Sequence, residues 1–302
     1  MNKTVTINGR RLLLSNLDKN LYPSFGFTKA QILEYYSRIA PTMIPFLKDR
    51  ALTLKRYPQG VDENFFFEKR CPPYRPDWLE TAEVPYGNRK SITYCTANTL
   101  EAIVWVENLA SIELHVPMAK ATSPGNPDSM VFDLDPGDGA DVLDCARVAL
   151  ILKNLLSGLG LESFAKTSGK KGLHVFVPLD PEATTFTDTK NFSKAVAVIM
   201  QKNYPRLVTA GMNKELRRNK VFINWSQNDA SKTMVCVYSL RAVQKPAVSF
   251  PVSWKDLEKH SARNDAGKFQ VLAPEAVELV EKKPVFYRKI LDMKQRLPHP
   301  WD

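Results

Sequence analysis

The sequence predicts a mixed α/β fold, because short apolar runs with strand periodicity alternate with longer segments of helical periodicity. The strand-like runs lie around 51–57, 64–69, 90–95, 112–116, 130–136, 173–178, 220–228 and 235–242. The helix-like segments lie at 28–47, 97–109, 142–159, 191–203 and 273–291. Hydrophobic residues make up 44% of the 302 positions, so a substantial core is expected.

Two of the predicted helices carry start signals. Thr28 followed by Gln31 fits a capping box that opens a helix through about Leu47. Asp141 is the expected N-cap of the helix that follows it. The carboxy-terminal segment from Ala273 to Leu291 is also predicted to be helical and to pack outside the segments that carry the polar motifs.

The run 130–136, Met-Val-Phe-Asp-Leu-Asp-Pro, carries two carboxylates on one side of a predicted strand. Because strand side chains alternate, the apolar residues can face a core while Asp133 and Asp135 point away from it, with Cα atoms about 7 Å apart. Two carboxylates aimed at one point suit a divalent cation. The alternative is a strand-ending turn in which Asp133 is simply solvated.

The run 167–178, Thr-Ser-Gly-Lys-Lys-Gly-Leu-His-Val-Phe-Val-Pro, carries a second polar group of residues. His174 should leave its strand on the face opposite the aliphatic residues. Ser168, Lys170, Lys171 and the glycine-freed backbone amides donate hydrogen bonds, which suits a polyphosphate. The order is not that of a Walker loop, and a basic β-turn with a half-exposed histidine is the alternative.

A third polar group of residues follows the run 220–228, where an apolar strand ends in Asn224 and its polar neighbours. The next strand closes at Arg241, whose guanidinium can bind a phosphate through two parallel hydrogen bonds. Each motif alone is common. Three of them in this order favour a site for a metal ion and a polyphosphate.

Together these motifs resemble the catalytic motifs of the polymerase domain of prokaryotic ligase D, in the archaeo-eukaryotic primase (primase-polymerase) superfamily. The resemblance extends from about Leu12 to Leu257 and includes the runs 17–23, 54–61, 66–69 and 113–117. It implies an α/β (α+β) catalytic core of two adjoining β-sheets flanked by helices. It also implies one domain over 1–302, with DNA-end and template contacts in about 1–120, catalytic motifs in about 121–260 and a helical segment in about 261–302.

The resemblance implies a template-dependent DNA/RNA nucleotidyltransferase that fills and extends DNA ends in non-homologous end joining. It implies two divalent ions per active site, Mn²⁺ or Mg²⁺, and a preference for ribonucleotides. The implied partners are NTP or dNTP, DNA with gaps, overhangs or breaks that bear a 5′-phosphate, and also Ku and a separate DNA ligase. No run of 18 apolar residues occurs, so no membrane is expected and the location should be cytoplasmic, at the nucleoid.

The resemblance also assigns roles to residues. The catalytic and metal-binding positions are Asp133, Asp135 and Asn224. The nucleotide-binding positions are Lys55, His115, Ser168, Lys171, His174 and Arg241. The remaining positions are Lys19 and Lys29 for the DNA 5′-phosphate, Phe66 and Phe67 for template stacking, and Arg217 and Arg218 for a mobile basic loop.

Three of these assignments have structural alternatives. His115 can be a core histidine bonded to a carbonyl group. At least one ring of the apolar run 65–67 is expected in the core. Arg217 and Arg218 can be solvated surface residues.

Position 224 departs from the family, which has an aspartate there. Asn224 keeps a carbonyl oxygen but lacks the charge, and a hard divalent cation prefers an anionic oxygen. The residue is either an introduced substitution or a natural feature. We therefore expect an impaired or inactive enzyme, and the alternative is a non-catalytic module that binds or bridges DNA ends.

Charge agrees with a nucleic-acid partner, because 42 basic and 32 acidic residues give a formal net charge of +10. The basic residues are grouped, at Lys166, Lys170 and Lys171, and again over 214–220, which favours a binding surface over an evenly basic one.

The four cysteines, at 71, 95, 145 and 236, include no Cys-x-x-Cys pair. Zinc is therefore not expected, and the thiols should be reduced and mostly buried.

Overall fold

The computed structural model describes residues 1–87, 90–282 and 286–298, and its seven α-helices and several β-sheets confirm the mixed α/β class. Residues 88–89, 283–285 and 299–302 lie outside the described part. The predicted helical segments 273–291 and 261–302 are thus covered only in part.

The first half of the chain contains β1 (Lys3–Ile7), β2 (Arg10–Leu14), β3 (Asn20–Tyr22), β4 (Phe27–Thr28), α1 (Lys29–Leu47), β5 (Thr53–Arg56), β6 (Phe66–Glu68), β7 (Thr81–Tyr86), β8 (Lys90–Cys95), α2 (Leu100–Asn108), β9 (Glu113–Val116), β10 (Ser129–Pro136) and α3 (Val142–Gly158). The second half contains β11 (Phe164–Thr167), β12 (Leu173–Pro178), α4 (Phe186–Asn203), β13 (Val208–Thr209), β14 (Val221–Asn224), β15 (Met234–Val235), β16 (Leu240–Arg241), β17 (Ala247–Val248), β18 (Pro251–Val252), α5 (Trp254–Ala262), β19 (Val271–Leu272), α6 (Ala273–Lys282) and α7 (Lys289–Asp292).

The chain groups into two compact units. The first unit comprises residues 1–122, 233–249 and 271–285, and the second comprises 123–232, 250–270 and 286–302.

The second unit is built on a six-stranded sheet with the order β13-β14-β10-β12-β11-β18. All neighbouring strands are antiparallel except β13 and β14, which are parallel. Alternate residues of β10 and β12 lie in the core with apolar side chains of α3 and α4. The predicted aliphatic face is therefore the core face, which leaves the opposite face of these strands for the polar motifs.

The first unit has a four-stranded sheet with the order β15-β9-β5-β6, together with a three-stranded sheet β16-β17-β19 and three two-stranded ribbons. Helix α1 packs against α2 and α6. Buried tyrosines hold distant segments together: the hydroxyl of Tyr36 donates to the carbonyl of Ile112 at 2.9 Å, and that of Tyr22 donates to the carbonyl of Arg241 at 3.0 Å.

Both predicted helix starts are confirmed. Thr28 accepts from the Gln31 amide while the Gln31 side chain accepts from the Thr28 amide, which is the complete capping box. Asp141 forms the same reciprocal pair with Asp144 at the start of α3. Helix α4 begins at Phe186, five residues before the predicted start, because Thr185 caps it together with Asp188.

One strand prediction was wrong. The run 235–242 forms two short strands, β15 and β16, instead of one continuous strand. Tyr238 between them has φ of 67°, in the left-handed region, and its amide donates to the carbonyl of Ser249 at 2.7 Å. The apolar pattern continues through this turn, so periodicity alone does not reveal it.

The expectation of four reduced cysteines was also wrong, because Cys71 and Cys95 form a disulfide. The amide of Cys71 donates to the carbonyl of Thr93 at 2.7 Å, which holds the segment after β6 against β8. The two Cα atoms are consequently 4.9 Å apart, within disulfide reach, although 24 positions separate the residues. Cys145 and Cys236 are free and buried, as expected.

None of the described helices has both the length and the apolar composition that a membrane span requires.

Glu107 in α2 is a fully buried carboxyl group, and within the described part of the chain neither of its oxygens has a hydrogen-bond partner. Burial raises its pKa well above the usual value. The folded protein therefore keeps a proton that the unfolded chain loses above about pH 4.5. The free energy of unfolding should fall as pH rises above that value, by at most about 1.4 kcal/mol per pH unit.

We expect Glu107→Gln to remove this pH dependence and to raise the unfolding temperature at pH 8. Thermal unfolding between pH 5 and pH 9 measures both effects. Glu34→Gln, at an exposed position of α1, is the matched control and should leave the profile unchanged. A wild-type profile that the Glu107 substitution does not alter would contradict the assignment.

Candidate functional site

Four polar residues lie side by side across the six-stranded sheet of the second unit. The strand register pairs Lys166 of β11 with His174 of β12. It then pairs His174 with Asp133 of β10, and Asp133 with Asn224 of β14. Since cross-strand partners project from the same face, the three motifs separated in sequence meet in one polar row.

Hydrogen bonds connect this row. The Lys166 Nζ atom lies 2.9 Å from His174 Nδ1, and His174 Nε2 lies 3.3 Å from Asp133 Oδ1. The amide nitrogen of Asn224 donates to Asp133 Oδ2 at 3.3 Å, and that of Gln227 donates to the same oxygen at 3.4 Å. Both oxygens of the buried Asp133 carboxylate are therefore within reach of donors from neighbouring strands.

The side-chain amide of Asn224 is oriented by contacts on its other side. The Ser226 hydroxyl donates to Asn224 Oδ1 at 2.8 Å, and Lys232 Nζ donates to the Ser226 oxygen at 2.8 Å. The Asn224 oxygen is thus directed to Ser226, while its nitrogen is directed to Asp133. The row has a neutral donor at the position where the family resemblance implies a third carboxylate.

The two carboxylates of β10 suit a divalent ion, whereas position 224 does not add an anionic ligand. Asp133 and Asp135 leave the face opposite Leu134, which lies in the core. Carboxylate oxygens are the hard ligands that Mg²⁺ and Mn²⁺ prefer. Among the described residues, no group of three or more His, Cys, Asp or Glu side chains could hold a metal ion. Remaining ligands would have to come from a bound phosphate compound or from water.

The loop 168–172 is organised by Ser168, whose buried hydroxyl oxygen accepts from the amides of Lys170 at 3.2 Å and Gly172 at 3.1 Å. Lys171 at its tip is exposed. A Cβ atom added to Gly172 would lie 2.2 Å from the carbonyl oxygen of Leu134. Leu134 is the residue between Asp133 and Asp135 in the sequence of β10. The glycine is therefore required for the loop to approach the backbone of β10.

The predicted basic loop places its two arginines differently. The Arg217 guanidinium lies 3.7 Å from the centroid of the Phe222 ring, and its Nη2 donates to the Met212 carbonyl at 2.8 Å. Phe222 is the register partner of Asp135 on β14, so Arg217 lies on the carboxylate face. Arg218 is exposed to solvent.

In the first unit, three of the predicted nucleotide-binding residues surround Glu113, which is fully buried. The carboxylate lies 3.8 Å from Lys55 Nζ, 2.9 Å from His115 Nε2 and 3.4 Å from Arg241 Nε. His115 thus bonds to a carboxylate instead of a carbonyl group. Burial lowers the pKa of His115, and Glu113 opposes that shift only in part.

The aromatic residues 65–67 are all at the surface, so the expectation that one ring lies in the core was wrong. Their exposed fractions are 50% for Phe65, 45% for Phe66 and 55% for Phe67. Lys55 Nζ lies 3.9 Å from the Phe65 centroid, and the Arg56 guanidinium lies 5.1 Å from that of Phe66. Cation–π contacts hold the rings over basic side chains and leave their outer faces available.

Lys19 and Lys29 line one cavity of about 240 Å³ in the first unit, together with Arg56 and the segment 15–16. The Lys29 ammonium donates to the Ser15 carbonyl at 2.7 Å. Burial, and then the nearby charges of Lys19 and Arg56, lower the pKa of Lys29 to about 8. Since no Asp or Glu occurs among the described residues that line the cavity, it suits an anion.

Some residues of these clusters were missed or misassigned from the sequence. Lys166 was grouped with a basic surface, but only 1% of it is exposed because its strand is buried on both faces. Gln227 and Ser226 were read only as the polar end of a strand. Glu113 was not assigned a role, although its spacing of two from His115 on a strand places both on one face.

We expect Gly172→Ala to lower the free energy of unfolding by about 3 kcal/mol, because the added methyl group forces backbone movement. Denaturant unfolding measures the change. Gly125→Ala is the control in the same unit, since its Cβ would meet nothing within 4 Å. Equal stability of the two variants would show that the loop does not need this close approach.

Comparisons with known proteins identify the family of the chain. A family model described as "LigD, primase-polymerase domain" matches residues 28–278. The chain is 40% identical over 256 residues to "Multifunctional non-homologous end joining protein LigD" of Mycolicibacterium smegmatis. The matched region covers 84% of this chain and 33% of that relative. It is 32% identical over 248 residues to "Bifunctional non-homologous end joining protein LigD" of Bacillus subtilis. That matched region covers 82% of this chain and 40% of the relative. The chain thus spans 33% and 40% of the length of these two curated relatives.

Among solved structures, the chain resembles "Polymerase Domain from Mycobacterium tuberculosis Ligase D in complex with DNA", with a TM-score of 0.85 and 36% identity. That similarity covers 94% of this chain and 99% of the other. The expected family is therefore confirmed at the level of both sequence and fold. The chain belongs to the LigD primase-polymerase domain family.

Proposed function

We propose that this chain is a template-dependent nucleotidyltransferase that fills and extends DNA ends in non-homologous end joining. Membership of the family implies nucleotidyltransferase activity in general. The observation that carries the proposal for this chain is the polar row that places His174 and Asn224 on either side of Asp133, with Asp135 on the same face.

The proposed cofactors are two divalent ions, Mn²⁺ or Mg²⁺, held by Asp133 and Asp135. When bound, such ions neutralise phosphate charge and lower the pKa of an attacking hydroxyl group. The chain's own residues orient the Asp133 carboxylate through His174 at one oxygen and through Asn224 and Gln227 at the other. Ser168, Lys171 and His174 supply donors for the phosphate oxygens of a nucleotide.

We assign nucleotide binding in the first unit to Lys55, His115 and Arg241. Two cationic side chains and an imidazole share the single carboxylate of Glu113, so the cluster retains positive charge for oxyanions. Arg217 and Arg218 are proposed to form a mobile basic loop near the nucleotide. The proposed preference for ribonucleotides rests on the family resemblance.

The DNA-end contacts are assigned to the first unit. Lys19 and Lys29 are proposed to bind the 5′-phosphate of the downstream strand in their cavity. The exposed rings of Phe66 and Phe67 are proposed to stack on template bases, a contact of about 1–3 kcal/mol per base. The proposed partners are gapped, overhanging or broken DNA, NTP or dNTP, Ku and a separate ligase. The proposed location is the cytoplasm, at the nucleoid.

A second candidate function is a non-catalytic module that binds or bridges DNA ends. Position 224 favours it, because the Asn224 amide donates to Asp133 and its oxygen is engaged by Ser226. An ion at Asp133 and Asp135 would thus have one anionic protein ligand fewer than in the family. The two candidates differ in whether the present chain extends primers at a useful rate.

We expect the chain to bind nucleotide and gapped DNA but to extend primers at least about 100-fold more slowly than its Asn224→Asp variant, by analogy with loss of one electrostatic group from a preorganised site. Primer extension on a gapped, 5′-phosphorylated duplex measures this, with Mn²⁺ or Mg²⁺ and with both sugar types. Equal rates for the two proteins would show that position 224 does not assist catalysis.

Thermal unfolding provides a readout of the same substitution that does not depend on activity. Asn224→Asp removes a donor from Asp133 and places a second carboxylate opposite it. The variant should be less stable than the parent without metal and should regain stability when Mn²⁺ is added. Asn203→Asp, at the exposed end of α4, is the control and should show no such recovery.

A second prediction concerns the phosphate cavity and pH. Because the pKa of Lys29 is about 8, its ammonium form is present below pH 8 and is lost above it. The dissociation constant for a 5′-phosphorylated gapped duplex should therefore rise about tenfold between pH 7 and pH 9. Fluorescence anisotropy titrations at each pH measure this.

Two controls identify the source of that pH dependence. The same duplex with a 5′-hydroxyl should show a flatter profile, since it lacks the terminal charge. Lys29→Arg stays charged at every pH used and should flatten the profile for the phosphorylated duplex. Parallel profiles for phosphate and hydroxyl ends would remove Lys29 from the end-binding site.

A further inference from the structure

Lys166 is a buried lysine that the proposed chemistry does not yet use. Only 1% of the residue is exposed, although lysine is rarely buried to this extent. Its Nζ atom lies 2.9 Å from His174 Nδ1 and 5.6 Å from the centroid of the Phe176 ring. The ammonium group is therefore directed at the imidazole that adjoins Asp133.

We infer that Lys166 is a positioning residue that fixes His174 as the Nε2–H tautomer. In this form the ring presents its single N–H to Asp133, or to a phosphate oxygen that binds beside it. The inference rests on the proposed function, because it assigns a cause to the donor role of His174 in nucleotide binding.

The donors and acceptors of Lys166 and His174 determine which ring nitrogen carries the proton. A lysine ammonium has three donors and no acceptor, so the nitrogen that faces it must accept. A neutral imidazole carries a single N–H, which is therefore on Nε2 when Nδ1 accepts from Lys166. Nε2 lies 3.3 Å from Asp133 Oδ1, and an ionised carboxylate only accepts. Both neighbours of His174 thus select the same tautomer.

Strand pairing holds Lys166 in place beside His174. The β11–β12 register sets the two residues opposite each other. Both residues are almost fully buried, so water does not compete for the contact. A histidine held in this way resembles a metal-site histidine, in which a partner on one ring nitrogen determines the role of the other.

Without Lys166, Nδ1 would lose the donor that keeps a proton off it. The ring would then no longer be confined to the neutral Nε2–H form, although Asp133 still favours a proton on Nε2. Lys166→Met retains an unbranched apolar stem but supplies no donor. Lys166→Arg restores a side chain that only donates, so it should rescue the tautomer.

The first experiment uses the free protein and long-range ¹H–¹⁵N correlation spectra of its histidine rings. His174→Gln identifies the His174 signals among the four histidines of the chain. We expect the Nε2–H pattern in the parent and in Lys166→Arg, and a loss of that pattern in Lys166→Met. Lys202→Met, at an exposed position of α4, should leave the spectrum of His174 unchanged. An Nδ1–H ring in the parent, or an unaltered ring in Lys166→Met, would overturn the inference.

The second experiment measures binding of a non-hydrolysable nucleotide with Mg²⁺ by calorimetry. Lys166→Met and His174→Ala should each raise the dissociation constant about tenfold, as expected for loss of a hydrogen bond to a charged group. The double variant should be no worse than His174→Ala alone, because Lys166 acts through the ring. Additive losses would assign Lys166 a contact of its own and overturn the positioning role.

The two experiments separate the inference from the proposed function. If His174→Ala leaves nucleotide binding unchanged, the proposed nucleotide assignment fails, while the spectra still decide whether Lys166 sets the tautomer. If His174→Ala weakens binding but Lys166→Met changes neither the spectrum nor the affinity, the proposed function stands and the inference fails. Thermal unfolding of each variant confirms that the protein used is folded. Lys166→Leu, which also supplies no donor, replaces Lys166→Met should the latter not fold.

Discussion

The buried carboxylate of Asp133 is the constraint on which the polar face of the six-stranded sheet depends. Only 7% of the residue is exposed, and a carboxylate removed from water is strongly destabilising unless hydrogen bonds replace its hydration. The replacements come from His174 on one neighbouring strand and from Asn224 and Gln227 on and after the other. A shift of one residue in either register would send these donors to the core face. The buried carboxylate therefore favours the observed register of both neighbouring strands.

Glu113 in the first unit follows the same rule with the opposite electrostatic result. It is fully buried, but its partners Lys55 and Arg241 together carry more positive charge than one carboxylate neutralises. The partners of Asp133 on β14 and after it are neutral amides, which leave its negative charge largely intact. One buried carboxylate therefore supports a cluster suited to an anion, and the other is itself suited to a cation.

Periodicity predicted which face of β10 and β12 is polar, and capping signals predicted where α1 and α3 begin, because both depend on residues close in sequence. Periodicity did not predict which residues lie opposite on the neighbouring strand. Lys166 was therefore misread as surface charge, and Cys71 and Cys95 were not paired. Each error concerns a contact set by register or by a turn, as at Tyr238, where one left-handed residue divides an apolar run without changing its pattern.

The amide at position 224 changes what the row requires in order to hold together. A carboxylate there would stand directly opposite Asp133, and two like charges in a cross-strand pair are destabilising unless a cation lies between them. Asn224 instead donates to Asp133 and accepts from the Ser226 hydroxyl. Lys232 in turn donates to the Ser226 oxygen. The row from Lys166 to Asn224 is thus complete as a hydrogen-bonded structure without an ion. We propose that this amide, by making the row self-sufficient, also weakens its demand for the metal ions of the proposed function.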